Sequence, residues 1–379
     1  MRTILAVAVC SLVCGTSAST AEVTGEPVAQ LPNAALRLTA YDGYVIFSEL
    51  DAQSRWRLMA WHDGSISTLD APERTIPFDA DAGPSADGTP AVVFSKCVHE
   101  PPAKPSEPGV QAPPVDWAKA SGCHVYELAL PDGTPRLVRG IYAASASDTT
   151  PAIWMGDIAF ARTRPGSRVP TLYVWDHARG RLERVGGGPS SCPALNATFG
   201  SPYCIHPPPH LSAWVDEMSL DGHSLVYQWI LPEDDERPFG EPYAEIRVDP
   251  LRGGSQDAPS QVVFESILGG ACNGEQGGSP DAIDGSVLYI WHNSVCGEGA
   301  EKPVTAIGSY STASHRHAEA RVSSGIAVAV AQDHGTTYWI TDAVKKASPG
   351  FDYSKSCAPA YSTCTLMRTV NLASKLKPD

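Results

Sequence analysis

Apolar and polar residues alternate along this chain in short runs of about five residues, and glycine and aspartate interrupt the runs. The run Tyr44 to Ser48 follows an Asp-Gly turn at Asp42 and Gly43, and a second run, Trp56 to Trp61, precedes another such turn. Alternation with a period of two residues, bounded by turn residues, is typical of β-strands. The pattern predicts an all-β protein with no helix longer than two turns.

This pattern of strand, turn and strand recurs about six times along the chain. One clear strand from each unit can be given: Tyr44 to Ser48, Ala91 to Ser95, Ile158 to Ala161, Leu225 to Trp229, Val287 to Trp291 and Thr336 to Ile340. A small sheet cannot bury both of its faces alone, so sheets that recur in this way pack around a common axis. The sequence therefore predicts a six-bladed β-propeller.

The sixth unit is the least regular, because it offers one strand fewer than a complete blade. Its strands are Ile326 to Ala331, Thr336 to Ile340 and Thr365 to Val370. The segment Val23 to Leu31 precedes the first unit and has no other sheet to join. We predict that this N-terminal segment supplies the missing strand and closes the ring.

Three stretches of the pattern carry a family resemblance. They are Pro84 to Phe94, which begins with the turn sequence Pro-Ser-Ala-Asp-Gly, Ser219 to Tyr227, and Pro280 to Tyr289. In these stretches the chain resembles the blades of TolB-like proteins, six-bladed propellers of the periplasmic or secreted class. The resemblance implies the fold and an exported location. It transfers no functional residue, because one fold hosts many functions.

Residues 1–21 have the features of a secretory signal peptide. The apolar run from Ile4 to Val13 is too short to anchor the chain stably in a bilayer. Small residues at Ser19-Thr20-Ala21 fit a cleavage site, and Thr16-Ser17-Ala18 is an acceptable alternative. Lipid attachment at Cys14 is a competing hypothesis, but the residues before Cys14 are in the wrong order for it.

Residues 22–379 are predicted to form the mature protein as a single propeller domain, secreted to the periplasm or the extracellular space. No later segment of the sequence is apolar enough to span a membrane. Two proline-rich insertions interrupt the blades, near residues 98–122 and 186–210. Loops on a rigid scaffold often carry binding sites, although the insertions could equally be covers. The second insertion contains Asn196-Ala197-Thr198, an acceptor for N-glycosylation in eukaryotes.

Of the ten cysteines, two lie in the signal peptide and the other eight fall in four neighbouring pairs. The pairs are Cys97 with Cys123, Cys192 with Cys204, Cys272 with Cys296, and Cys357 with Cys364. Exported proteins meet an oxidising environment, so we predict a disulfide within each pair, as the connectivity that closes local loops. The alternative is a metal site, for which Cys204 and His206 come nearest to the required spacing.

The net charge and the motifs of the sequence argue against several classes of function. The formal net charge is −14 and no basic stripe is present, which argues against a nucleic-acid partner. The stretch Gly277-Gly278-Ser279-Pro280-Asp281 is the nearest approach to a nucleophile elbow, but it lacks the final glycine and the following helix. The sequence contains no metalloprotease, phosphate-loop or dinucleotide motif. We therefore predict no catalytic residue, cofactor or metal ligand.

A few polar groups are weaker candidates for cation binding. These are His315 and His317, Asp333 with His334, and the acidic turns Asp79-Ala80-Asp81 and Glu233 to Glu236, of which the acidic turns could hold calcium. The simpler interpretation is that all of them are solvated or packed. Six tryptophans in or near predicted strands are expected to pack between blades instead of stacking on sugars: Trp61, Trp154, Trp175, Trp229, Trp291 and Trp339.

These features predict a secreted, monomeric, non-enzymatic binding scaffold that recognises a protein or cell-envelope ligand through loops at one mouth of the propeller. The alternative is a propeller-type hydrolase or lyase. In that case carboxylates or histidines from several blades would converge at the central channel. Because such residues are distant along the chain, the sequence leaves this alternative open.

Overall fold

The computed structural model describes residues 21–102, 115–185, 188, 212–222, 224–232, 243–251, 260–267, 274–283, 285–294, 304–322, 326–342, 364–372 and 377–378. Six antiparallel sheets form the blades of a propeller. The helical elements in the described part are two short 3-10 turns, Trp117–Lys119 and Arg139–Ile141. The predicted all-β, six-bladed fold is confirmed.

Two N-terminal strands precede the first blade, β1 (Ala21–Val23) and β2 (Glu26–Leu31). Blade one contains β3 (Ala35–Tyr41), β4 (Tyr44–Leu50), β5 (Trp56–His62) and β6 (Ser65–Thr68). Blade two contains β7 (Asp81–Pro84), β8 (Pro90–Lys96), β9 (His124–Ala129) and β10 (Arg136–Leu137). Blade three contains β11 (Ser147–Trp154), β12 (Asp157–Thr163), β13 (Thr171–Asp176) and β14 (Arg181–Val185).

Blade four contains β15 (Trp214–Leu220), β16 (Ser224–Leu231), β17 (Tyr243–Pro250) and β18 (Gln261–Ile267). Blade five contains β19 (Gly274–Ile283), β20 (Ser286–Ser294), β21 (Val304–Ser311) and β22 (Arg316–Val322). Blade six contains β23 (Ile326–Asp333), β24 (Thr336–Asp342) and β25 (Cys364–Val370), and a short strand β26 (Lys377–Pro378) pairs with β22. The first strand of each blade lies innermost, next to the central channel.

The N-terminus closes the ring, as predicted. Strand β2 is antiparallel to β25 and completes blade six as its outermost strand. Strand β1 is parallel to β22 and joins blade five. Between the two strands, the chain passes Gly25 so close to Trp339 that a Cβ atom at Gly25 would overlap the indole ring. The N-terminal segment therefore connects blades five and six before the chain enters blade one.

One face of the ring carries all the turns between the first and second strands of the blades, because neighbouring strands are antiparallel. We call it the turn face, and the opposite one the loop face. Each of these six turns has a glycine with φ between +74° and +84°: Gly43, Gly88, Gly156, Gly222, Gly285 and Gly335. Glycine adopts this left-handed backbone without steric cost, which explains why Asp-Gly turns mark the blades in the sequence.

The described core consists mainly of six apolar clusters, one between each pair of adjacent blades. Between blades six and one, for example, Phe47 and Trp61 pack with Tyr338 and Leu366. All six tryptophans predicted to pack between blades belong to these clusters or lie against them. Burial of large rings between blades is the main stabilisation that holds the separate sheets together.

Cys97 and Cys123 form a disulfide at the base of the first insertion. Cys364, which is buried in β25, is also disulfide-bonded. Its predicted partner and the other predicted pairs lie outside the described residues: Cys357, Cys192, Cys204, Cys272 and Cys296. No helix in the described part of the chain is long and apolar enough to cross a membrane.

The end of the first insertion, residues 115–121, crosses the loop face. Val115 and Trp117 pack against Trp214 of blade four in a separate apolar cluster. The Val115 amide donates a hydrogen bond of 3.1 Å to Asp216 Oδ1. A segment that leaves blade two therefore reaches the channel lining of blade four and covers the channel there.

Candidate functional site

The innermost strands bring polar side chains into the channel through β-bulges. Five of the six first strands shift register at one point, and the residues at these shifts include Arg37, Thr150, Asp216, Ser279 and Val328. Arg37, Thr150 and Ser279 have φ values of +60°, +48° and +53°. Such a backbone is unfavourable for residues with a Cβ, and bulges often turn a side chain toward a site.

Arg37 forms an ion pair that links blade one to blade four, the blade opposite it in the ring. Its Nη2 atom lies 2.8 Å from Asp216 Oδ1, and its Nη1 atom lies 2.7 Å from Glu217 Oε1. Burial alone would lower the pKa of Arg37, but the two carboxylates outweigh burial and raise it. Arg37 is therefore a permanent cation in the channel. Burial raises the pKa of Glu217, and the charge of Arg37 opposes that increase.

A belt of hydrogen bonds runs around the channel and repeats after half a turn of the ring. In the first half, the Thr39 hydroxyl donates to Asp81 Oδ1 at 3.0 Å, and the Ile153 amide donates to Asp81 Oδ2 at 2.9 Å. The second half repeats this arrangement. The Ser219 hydroxyl donates to Asp281 Oδ1 at 2.9 Å, and the Gln332 amide donates to Asp281 Oδ2 at 2.7 Å. Each carboxyl thus connects three successive blades.

The belt carboxyls lie in an environment that disfavours their charge. Burial raises the pKa of Asp281 to about 7, although hydrogen bonds from the Gln332 amide and Ser219 oppose the shift. Burial also raises the pKa of Asp81 well above its ordinary value, and the charge of Asp281 adds to the increase. At neutral pH, the Asp281 carboxyl is therefore near its pKa, and burial favours the protonated form of Asp81 as well.

Folding stability should depend on pH through Asp281. The folded state holds this proton up to about pH 7, whereas the ordinary pKa is 3.8. The resulting stabilisation is fully present below about pH 3.8 and is lost as the pH rises through about 7. Urea unfolding at intervals between pH 5 and 8 should show a smaller fall in stability for Asp281→Asn than for the wild type. Asp70→Asn, an exposed control, should keep the wild-type slope, and an equally steep slope for Asp281→Asn would contradict the assignment.

The space that the described residues leave in the channel is small, and protein segments approach it from both faces. The cavity lined by Arg37, Asp81, Glu217 and Asp281 measures about 20 Å³, which admits water but not an organic substrate. At the loop face, the first insertion covers it, as described above. At the turn face, Tyr41 and Trp154 approach each other edge to face, with ring centroids 6.1 Å apart.

The channel carboxyls are occupied by donors from the protein itself. Asp79 Oδ1 accepts a hydrogen bond from Arg74 at 3.0 Å, and its Oδ2 accepts one from the Thr150 amide at 2.8 Å. Asp79 and Asp81 are predicted from the sequence to lie in a turn that is either solvated or holds calcium. The solvated alternative is wrong, because both residues are buried and Asp81 begins β7. Among the described residues, no group of three His, Cys, Asp or Glu side chains is arranged to hold a metal.

The structure separates the other residues that the sequence singled out. His315 lies in a turn with φ +55°, whereas His317 lies in β22, so they are not neighbours in one strand. Both contact Tyr310, whose hydroxyl lies 2.9 Å from His315 Nδ1. His334 lies in a turn on the turn face, 2.5 Å from Asp333 Oδ1. The acidic segment 233–236 lies outside the described residues.

Sequence reasoning missed the central ion pair of Arg37 with Asp216 and Glu217. A signal was present, because Arg37 stands between Leu36 and Leu38 in a strand that otherwise fits an inner position. A charged residue at such a position requires a buried partner. The sequence could not identify that partner, which is 179 residues away.

Among known proteins, the chain is similar to several solved structures at low sequence identity. The chain matches no known family profile and no curated protein sequence. It aligns with the solved structure of the protein assigned as TolB from Agrobacterium tumefaciens, with 13% identity over 77% of this chain and 82% of that one and a TM-score of 0.42. At the level of fold, the chain resembles TolB.

Two solved enzyme structures are also similar to this chain. The oligogalacturonate lyase from Vibrio parahaemolyticus shares 8% identity over 90% of this chain and 92% of that one, with a TM-score of 0.38. A puromycin-hydrolyzing peptidase from Mycobacterium tuberculosis shares 10% identity over 93% of this chain, with a TM-score of 0.44. This chain spans 53% of that peptidase. Because a protein assigned as TolB and two enzymes match at such low identity, the likeness concerns the fold alone.

Proposed function

We propose that the protein is a secreted, non-enzymatic scaffold that binds a protein or cell-envelope ligand on the turn face of the propeller. The observation that carries the proposal is the contrast between the channel and this face. Residues 115–121 lie across part of the channel at the loop face, and the channel carboxyls accept hydrogen bonds from the protein. The turn face instead presents aromatic and apolar side chains to solvent.

Four residues that are exposed or half-buried lie near one another on the turn face. Tyr41 of blade one contacts Trp154 of blade three and His334 of blade six, with ring centroids 6.1 Å apart in both pairs. Met155, beside Trp154, is 51% exposed. Aromatic and apolar side chains that lie together at a protein surface are typical of interaction sites. We call these four residues the mouth patch.

Export fits this role. Residues 1–21 have the composition of a signal peptide, and the disulfide between Cys97 and Cys123 is of a kind that persists in oxidising compartments. The mature chain, residues 22–379, would then meet envelope or extracellular ligands. The described part of the insertion 98–122 acts in this proposal as a cover for the channel at the loop face and not as the ligand site.

The proposal is tested by capture combined with a screen for turnover. The immobilised mature protein is incubated with native envelope and secreted fractions, beside the variant Met155→Glu, which places a charge in the mouth patch without touching the core. We expect a ligand that the wild type retains and the variant loses. Turnover of glycan, ester or peptide substrates that Glu217→Gln abolishes, with no ligand retained, would show instead a hydrolase or lyase acting at the channel.

A further inference from the structure

We propose that the channel cavity is a binding site for one ordered water molecule, which the Thr150 hydroxyl and the surrounding carboxyls hold as a bridge between blades. The site lies inside the ring and is independent of the ligand that the mouth patch binds. A cavity of matching size and a buried, unpartnered hydroxyl in its lining both point to this ligand.

Thr150 lies at the bulge in the innermost strand of blade three. It is 1% exposed, and its φ of +48° departs from the ordinary backbone of a strand. Its amide donates to Asp79 Oδ2 at 2.8 Å, but its buried Oγ1 atom has no hydrogen-bond partner among the described residues. A buried hydroxyl without a partner costs free energy. Because Thr150 lines the cavity, a water there would supply the missing partner.

The size and polarity of the cavity fit one water. Its volume of about 20 Å³ is above the roughly 10–15 Å³ that a single water requires, and it is too small for an organic ligand. Cavities that stay dry are apolar. This cavity is lined instead by charged and hydroxyl-bearing residues, among them Arg37, Thr39 and Asp81. A polar cavity of this size is therefore expected to be hydrated.

The lining also offers enough hydrogen-bonding groups for a buried water, which typically makes about three hydrogen bonds. Four blades contribute to it, with Arg37 of blade one, Thr150 of blade three, Glu217 of blade four and Asp281 of blade five. A hydroxyl can donate or accept, and carboxyl oxygens have lone pairs beyond the bonds they already accept. The water would therefore connect blade three to the polar groups on the far side of the channel.

A metal ion is a weaker fit to the same space. No group of three His, Cys, Asp or Glu side chains in the described ranges is arranged around a metal. The Arg37 guanidinium already lies 2.8 Å from Asp216 and 2.7 Å from Glu217, so a second cation would meet its charge at close range. Water carries no net charge and can both donate and accept, so it avoids this repulsion.

The test compares urea unfolding of the mature protein with that of Thr150→Val. Valine keeps the shape and the branching at Cβ, so the variant loses only the hydroxyl. If a water is bound, it loses a partner, and we expect the equilibrium constant for unfolding to rise about three- to tenfold. If the cavity is dry, the change removes an unsatisfied polar group and should stabilise the protein. An unfolding midpoint at or above that of the wild type would overturn the proposal.

Thr337→Val is the matched control. Thr337 is also completely buried, and its Oγ1 atom has no hydrogen-bond partner in the described part of the chain, but it does not line the cavity. The control shares the gain in buried apolar surface, and we expect its midpoint to stay at or above that of the wild type. Equal shifts of the two variants, in either direction, would show that the cavity contributes nothing at Thr150 and would overturn the proposal.

Two further measurements identify the occupant directly. In a crystal structure of the mature protein, we expect electron density for a water within about 2.5–3.0 Å of Thr150 Oγ1. The unfolding midpoint should be the same in potassium chloride and in tetramethylammonium chloride at equal ionic strength, because no cation is bound. A dry cavity in the crystal, or a midpoint raised by potassium alone, would show that the site does not hold water.

Discussion

A chain that begins at Asn33 should melt far below the mature chain that begins at Glu22, or should aggregate. The truncation removes β1 and β2, which pair with β22 and β25. Without them, the edges of blades five and six lose their outer strands and expose unpaired backbone groups. The largest part of the loss is specific to ring closure, because blade one is then no longer joined to blade six by a strand.

The expected magnitude follows from the contacts that the truncation removes. Strand β2 aligns five residue pairs with β25, from Glu26 with Arg368 to Leu31 with Cys364. Net hydrogen bonds contribute about 1 kcal/mol each, and burial of a leucine about 1.5–3 kcal/mol. Leu31 is completely buried in the cluster between blades six and one. The sum is a large share of a typical total stability of about 5–15 kcal/mol.

Point variants keep this prediction testable if the truncated chain is insoluble. Leu31→Ala should lower the free energy of unfolding by about 2–5 kcal/mol, since it leaves a cavity between the two blades. Glu26→Ala removes only an exposed ion pair with Arg368 and should cost less than about 1 kcal/mol. Chemical unfolding measures both. Two results together would contradict the prediction: equal melting temperatures for the truncated and mature chains, and a loss of unfolding free energy in Leu31→Ala no larger than in Glu26→Ala. Residues 22–32 would then be a leader and not a closing strand.

The closing strand was predictable because its signals are local. Blade six lacks one strand, and the segment Val23 to Leu31 precedes blade one with no other sheet to join; both can be counted in the sequence. The blades were predictable for the same reason, since an Asp-Gly turn requires a left-handed backbone and marks a hairpin. Resemblance to TolB-like blades added the expected number of sheets. These features depend on neighbours a few residues apart.

The parts that sequence reasoning missed depend on distant residues or on weak propensity. Strand β19 begins with a glycine-rich stretch, Gly274 to Gly278, which reads as a loop because glycine has low strand propensity. Asp81 reads as a turn residue but is held in an inner strand by the Ile153 amide of the next blade. In both cases the ring supplies partners that no local pattern contains. The sequence therefore predicts that a central channel exists, but it does not predict which side chains contact each other inside it.

Replacement of Arg37 should be the most damaging single change in the channel. Arg37→Met leaves the buried Asp216 and the half-buried Glu217 without their cation, while the side-chain volume is nearly kept. Removal of one partner from a buried ion pair typically costs about 3–5 kcal/mol, because the remaining charge is no longer compensated. We expect a fall of this size in the free energy of unfolding, measured in urea with the wild type beside it. Arg57→Met is the matched control, since Arg57 pairs with Asp51 and Glu73 at the surface, and it should cost less than about 1 kcal/mol.

A second variant separates the charge effect from a simple loss of packing. In Arg37→Met, burial should raise the pKa of Glu217 further, because the opposing cation is gone. The folded state of the variant would then hold a proton that the unfolded chain releases. Its deficit against the wild type should therefore shrink as the pH falls from 8 towards 5. Arg37→Met/Glu217→Gln should recover part of the stability at pH 8. A deficit that is the same at both pH values, and that Glu217→Gln does not reduce, would show that Arg37 stabilises the ring by packing and not by its charge.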